Sequence, residues 1–255
     1  IHDPMEVDWE RDSQGRRSST SRAGSSYAGS AADAEEALEA QLSRFEAAAA
    51  ELQAVDCSSL TSNSLVSFLI NLHNLMVVHG HVRLRTGHKV GDEDRRGFMK
   101  AVTYRVGPFH WSLLDVNLML RTRLLRTGRV TPLIHLTLSF GSVSSPNIRY
   151  YLPQGFHHQL EAAAREYCAS VKASASHRKV LMPFGFKFFA ADFARTRRGL
   201  VEYVAKFAPP AEQAELKGIL SCQGETIEIR YMTPNWSLAL HSRLAPLRQT
   251  MSFPS

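Results

Sequence analysis

The chain has 255 residues, 44% of them hydrophobic, which is enough to bury a sizeable core in one large domain or two small ones. Its 30 Lys and Arg against 24 Asp and Glu leave a formal charge of +6, too small an excess at this length to mark a nucleic-acid binder. Three cysteines, Cys57, Cys168 and Cys222, stand far apart with no CxxC pairing, which argues against a zinc site or a disulfide framework and fits a reducing, cytoplasmic compartment.

Residues 1–30 are rich in Ser, Arg and Gly and poor in large apolar side chains, so they are expected to be a disordered linker. No signal-peptide pattern opens the chain, and the expectation is a piece of a longer multidomain polypeptide. The stretch 31–56, rich in Ala, Glu and Leu, reads as an amphipathic helix with Leu38, Leu42, Phe45 and Leu52 near one stripe. A globular domain is expected over 57–245, with a short tail at 246–255.

Thr61, Ser62 and Asn63 supply caps for a second helix that includes "SFLINLHNLMVVHGHV", Ser67 to Val82. This helix is apolar in nearly every direction. At about 100° per residue from Asn71, Asn74 falls at about −60° and His79 at about +80°, which defines a single polar sector. Polar groups in such a helix need hydrogen-bonding partners, and an unpaired one costs about 1–3 kcal/mol. The same groups interrupt the apolar run that a membrane span requires.

The charged "GDEDRRG" reads as a surface connection and "FMKAVTYRVG" as a strand. Ser112 followed by Asp115 forms a capping-box pattern for a helix running toward Gly128. "LIHLTLSF" alternates Ile134, Leu136, Leu138 and Phe140 against His135, Thr137 and Ser139, the pattern of a half-buried strand entering a Gly/Ser/Pro turn. A helix over "QGFHHQLEAAAREYCASV", a strand at "RKVLMP", one or two helices before Pro209 and Pro210, a helix over "AEQAELKGIL" and a strand at "ETIEIRYM" complete the pass. No dinucleotide or P-loop glycine pattern is present, and no cofactor is expected.

Three segments in order, "SFLINLHNLMVVHG", "SLLDVNLMLR" with "IHLTLSFGSVSSPNIRYY", and "PFGFKFFAADF" with "NWSLAL", resemble the family called domain of unknown function 547. Phe68, Ile70, Asn71, Leu72, Asn74 and His79 match its first pattern, with His73 where tyrosine is usual. His135, Leu138, Gly141, Ser144 and Pro146 match the second, while Phe140 and Ser145 stand where the family carries cysteines. Asn235 replaces the aspartate of a late Y-D-W-S-L-N pattern. The resemblance implies an α+β fold with a central buried helix, several surrounding helices and a small β-sheet. By analogy it suggests a papain- or transglutaminase-like cysteine hydrolase.

On that analogy the catalytic positions are His79, His135, Ser145 and Asn235, with Asn71, Asn74, Phe140 and Trp236 about the pocket. A serine needs stronger activation than a thiol, and asparagine cannot stabilise imidazolium by charge, so the set reads as vestigial. A metal at His79 and His81 or at His157 and His158 lacks carboxylates or cysteines at ligand spacing. Arg121, Arg123, Arg126 and Arg129, with Arg195, Arg197 and Arg198, are the candidates for binding an anion. The expectation is a pseudoenzyme. It would act as a scaffold docking to a protein partner or to other domains of its own polypeptide, with nucleic acid disfavoured and a Ser/His hydrolase or acyltransferase as the alternative.

Overall fold

The computed structural model of the protein describes residues 28–83, 92–124, 131–222 and 226–237. The chain divides into two units, Ile1–Ala50 and Glu51–Ser255. Helix α1 (Ala28–Ala49) belongs to the first, and none of its described side chains is buried. It gives way to a 3-10 turn at Ala50–Ala54, where a continuous helix was expected. Of the linker expected over residues 1–30, residues 28–30 instead open α1, while residues 1–27 and the tail from 246 lie outside the described residues.

The second unit is mixed α and β, built around α2 (Ser62–Arg83). Val66, Leu69, Ile70, Leu72, Met76 and Val77 are all buried, spread over an arc of about 160° at about 100° per residue, a face far wider than a single apolar seam. By length and composition α2 is apolar enough to cross a membrane, but 61% of its 18-residue apolar window is buried inside the domain, as befits a core helix. Gly80 lets a neighbour approach closely: a Cβ there would stand 2.5 Å from Val102 Cγ2 and 2.9 Å from Phe98. Those two residues belong to the segment that the sequence suggested was a loop leading into a strand. The chain instead forms α3 (Asp92–Ala101), followed by the hairpin of β1 (Thr103–Val106) and β2 (Phe109–Ser112). Ser112 then caps α4 (Leu113–Leu118) with the expected capping box, and α4 runs into a π-helical turn at Met119–Leu124.

The predicted strand at residues 133–140 is absent. Thr131 caps a 3-10 turn at Pro132–Leu136, its hydroxyl accepting from Leu133 N, and no ladder follows. The alternation misleads because residues 133–139 are buried on both sides, the polar ones included. Those polar side chains find partners inside: the Thr137 hydroxyl donates to Ile134 O, and Ser139 Oγ accepts from Gly141 N.

Beyond this segment, α5 (Phe156–Cys168) leads into a three-stranded sheet of order β3-β4-β5. In it β3 (Lys172–Ser174) is antiparallel and β5 (Glu228–Tyr231) parallel to the central β4 (Lys179–Met182). Three helices make the connection from β4 to β5: α6 (Gly185–Phe193), α7 (Arg197–Ala205) and α8 (Pro210–Ser221). The strands at 179–182 and 228–231, and these helices, follow the sequence expectation.

Candidate functional site

Asn71 and Asn74, in the polar sector of α2, face the irregular stretch from 137 to 151. Asn71 brackets Tyr151, its amide donating to Tyr151 O at 2.8 Å and its carbonyl accepting from Tyr151 N at 2.9 Å. Asn74 does the same one turn later, donating to Thr137 O at 3.0 Å and accepting from Ser139 N at 3.0 Å. Two side-chain amides thus supply the hydrogen bonds that a strand would have supplied. The hydrogen-bonding partners that Asn71 and Asn74 were expected to need are thus main-chain groups. His79 Nδ1 shares a 2.5 Å hydrogen bond with the Tyr104 hydroxyl.

His73 is fully buried. Its Nε2 accepts from the Asn117 amide at 3.3 Å, and burial holds the imidazole neutral, its pKa pushed down to about 4. His81 donates from Nε2 to Phe140 O at 3.2 Å and stacks on Phe98. Gly141, at φ +78°, is the residue that this approach demands, since a Cβ would stand 2.8 Å from His81 Nε2.

Ser145 is buried in the turn that follows. Its hydroxyl accepts from Phe140 N at 3.2 Å and shares a 2.7 Å hydrogen bond with Ser142. Beside it opens a cleft of about 250 Å³ whose lining includes Ser144, Ser145, Asn147, Glu166, Tyr167 and Phe184. The late segment lies against the same turn: Val143 N donates to Ser237 O, Ser144 N to Asn235 O, and Asn235 N to Ser144 Oγ. The Asn235 side chain accepts from Ser237 N and so shapes its own turn. Trp236 packs edge-on to Phe184 with ring centroids 6.0 Å apart. Phe140 fills space between His73, which it meets edge-on, and the guanidinium of Arg95.

His135 belongs to a different cluster. Its Nε2 lies 2.9 Å from Asp192 Oδ2, its ring stacks on Phe189 with centroids 4.2 Å apart, and its side chain has 0% exposure. The Arg121 guanidinium sits 4.1 Å from the Phe189 centroid, so this arginine is held against an aromatic ring near Asp192. Burial and the Arg121 charge hold His135 neutral against the opposing pull of Asp192, with its pKa down at about 4. Its Nε2–H therefore donates to the carboxylate. Nδ1 is left buried with no hydrogen-bond partner among the described residues, as is Arg121 Nε. The Arg123 side chain and all of Arg126 and Arg129 lie outside the described residues.

The comparison with protein families supplies the remaining observation: residues 57–168 match the family model described as "Protein of unknown function, DUF547". This is a DUF547 domain-containing protein. No curated protein and no solved structure is significantly similar to the chain.

Within the second unit, of which residues 57–168 match DUF547, the structure does not join the sequence-derived candidates into one site. His79 meets Tyr104, His135 meets Asp192, and Ser145 sits in its own turn, with no hydrogen bond to either nitrogen of His135. Asn235 serves main chain. Asp192, Glu166, Tyr167 and Arg95 are the additions that sequence reasoning missed. Asp192 was within reach, because it stands inside the quoted "PFGFKFFAADF".

Proposed function

We propose that the DUF547 domain of this chain is a non-catalytic interaction module that docks a protein partner. The observation that carries this reading is that no hydrogen bond joins Ser145 to His135, a pair that a hydrolase would need in contact. The hydroxyl at the family's second cysteine position is engaged by Phe140 N and Ser142, and the most deeply buried candidate base has Asp192 and Phe189 around it. A serine becomes nucleophilic only when a base takes its proton within hydrogen-bond reach. The exposed apolar side chains Val143 and Phe188, near the same turn, offer surface of the kind partners cover.

Treatment of the whole chain with a fluorophosphonate probe tests the reading. No labelling is expected, and affinity capture should give the same partners with Ser145→Ala. Labelling that disappears in Ser145→Ala, or capture that survives deletion of everything after Ala50, would count against it.

One arrangement favours a second reading, a Ser/His hydrolase or acyltransferase. His135 donates to Asp192 and keeps a bare Nδ1, the tautomer of a general base oriented by a carboxylate, and Ser145 lines a cleft. That reading requires Ser145 to reach a base through a rearrangement, and it predicts the Ser145-dependent labelling just described.

A further inference from the structure

The surface beside Ser145 also bears on what an interaction module would bind. The Arg95 guanidinium, carried on α3, lies over three aromatic rings from other parts of the chain. It is 5.0 Å from the Trp236 centroid, 5.9 Å from Phe140 and 6.0 Å from Phe188. Ring faces are electronegative, so rings gathered around one point hold a cation there, and the weakly hydrated guanidinium suits such a place better than a bare ammonium.

The rings have contacts of their own. Phe140 packs edge-on to His73, and Phe184 makes T-shaped contacts with Phe188 and Trp236 at 4.8 and 6.0 Å. Main-chain hydrogen bonds from Val143 and Ser144 to Ser237 and Asn235 tie down the segment that carries Trp236. The cage is therefore preorganised, whereas its present occupant is one long side chain reaching across from α3.

Two features extend the site. Phe188 is 47% exposed and Val143 44%, so apolar surface stays open at the rim. Phe184, which touches both Phe188 and Trp236, also lines the cleft of about 250 Å³, whose only charged lining residue is Glu166 and whose Ser144, Asn147 and Ser170 offer hydrogen bonds to peptide groups. Cage and cleft are contiguous through Phe184, and at the cleft's edge Glu166 already holds the Arg149 guanidinium, so its carboxylate is placed where a second guanidinium could share it.

We infer that the cage of Phe140, Phe188 and Trp236, with the adjoining cleft, binds an arginine-bearing peptide segment of a partner protein, and that Arg95 occupies the arginine position in the free chain. The inference rests on the interaction reading and names the partner's chemistry. Phe140 then has a use at a position where the related pattern carries cysteine.

Isothermal titration of the full chain with acetyl-Gly-Arg-Gly-amide, and with the same peptide carrying citrulline, tests it. An internal occupant lowers apparent affinity in proportion to the time it fills the site, so Arg95→Ala should bind the arginine peptide roughly tenfold more tightly than the unaltered chain. Adding Phe188→Ala should remove that gain, and the exposed position of Phe188 lets this variant keep its core. The citrulline peptide, isosteric but uncharged, should bind neither protein. Equal affinity of Arg95→Ala and the unaltered chain, no binding by either, or equal binding of citrulline would overturn the site. The two levels fail separately. A flat titration without Ser145-dependent probe labelling removes the arginine site and leaves the interaction reading. The expected titration together with such labelling supports the site and replaces that reading by an enzymatic one.

Discussion

Asn71 and Asn74 each form a two-point bracket on main chain that would otherwise be buried without partners. Asn74→Ala leaves Thr137 O and Ser139 N unsatisfied in a dry interior, and the expected loss is about 2–4 kcal/mol, read as a lower urea midpoint at unchanged slope. Asn71→Asp should not rescue Asn71→Ala, because a carboxylate accepts from Tyr151 N but meets Tyr151 O as a second acceptor. That these asparagines needed partners was legible in the sequence, since an amide on an otherwise apolar helix must be paired. Their partners were not, because they lie 63 to 80 residues away and are backbone groups, which carry no residue-type signal. His135 gives the same lesson from the other side. The residue stood out, but its carboxylate is 57 positions further on, in a segment that drew notice only through its resemblance to the family.

At the scale of elements, helices with caps or strong periodicity could be read from local pattern. α2, α4 through its capping box, α5 and α8 fall close to where propensity places them. The segment 133–139 could not, because alternation implies two different faces only when one of them meets water, and here both are buried. The sheet carries a protective device that no pattern announces. β3 lies at its edge, and two carboxylates from α8 accept outward N–H groups along it, Glu212 from Ala173 N within the strand and Glu215 from Ala175 N just beyond its end, each at 2.7 Å. Exposed strand edges pair with other strands unless blocked. Replacing both glutamates by alanine should cost about 2 kcal/mol. It should also add a concentration-dependent larger species in size-exclusion chromatography, whereas Lys172→Ala, which removes only the ion pair to Glu212, should remain a single species.

For the whole molecule, the buried histidines make stability depend on pH. His73 titrates near 4 in the fold against an ordinary 6.5, and His135 is lowered likewise, so between those values the unfolded chain binds protons that the fold refuses. Stability is therefore complete above about pH 6.5 and falls as pH drops toward 4, by up to about 3 kcal/mol for His73 alone. Urea unfolding at pH 7 and at pH 5 should show this loss, and His73→Gln should lose less. The asparagine brackets have a consequence in time as well. They close loops of 63 to 80 residues, whereas α2 forms from local contacts, so the helix can be in place well before residues 137–151 are drawn onto it. Stopped-flow measurements on Asn71→Ala and Asn74→Ala should find refolding rates nearly unchanged and unfolding accelerated, the mark of contacts made after the rate-limiting barrier. The stretch that carries Phe140 and Ser145 would then be the last part of the domain to arrive and the first to leave.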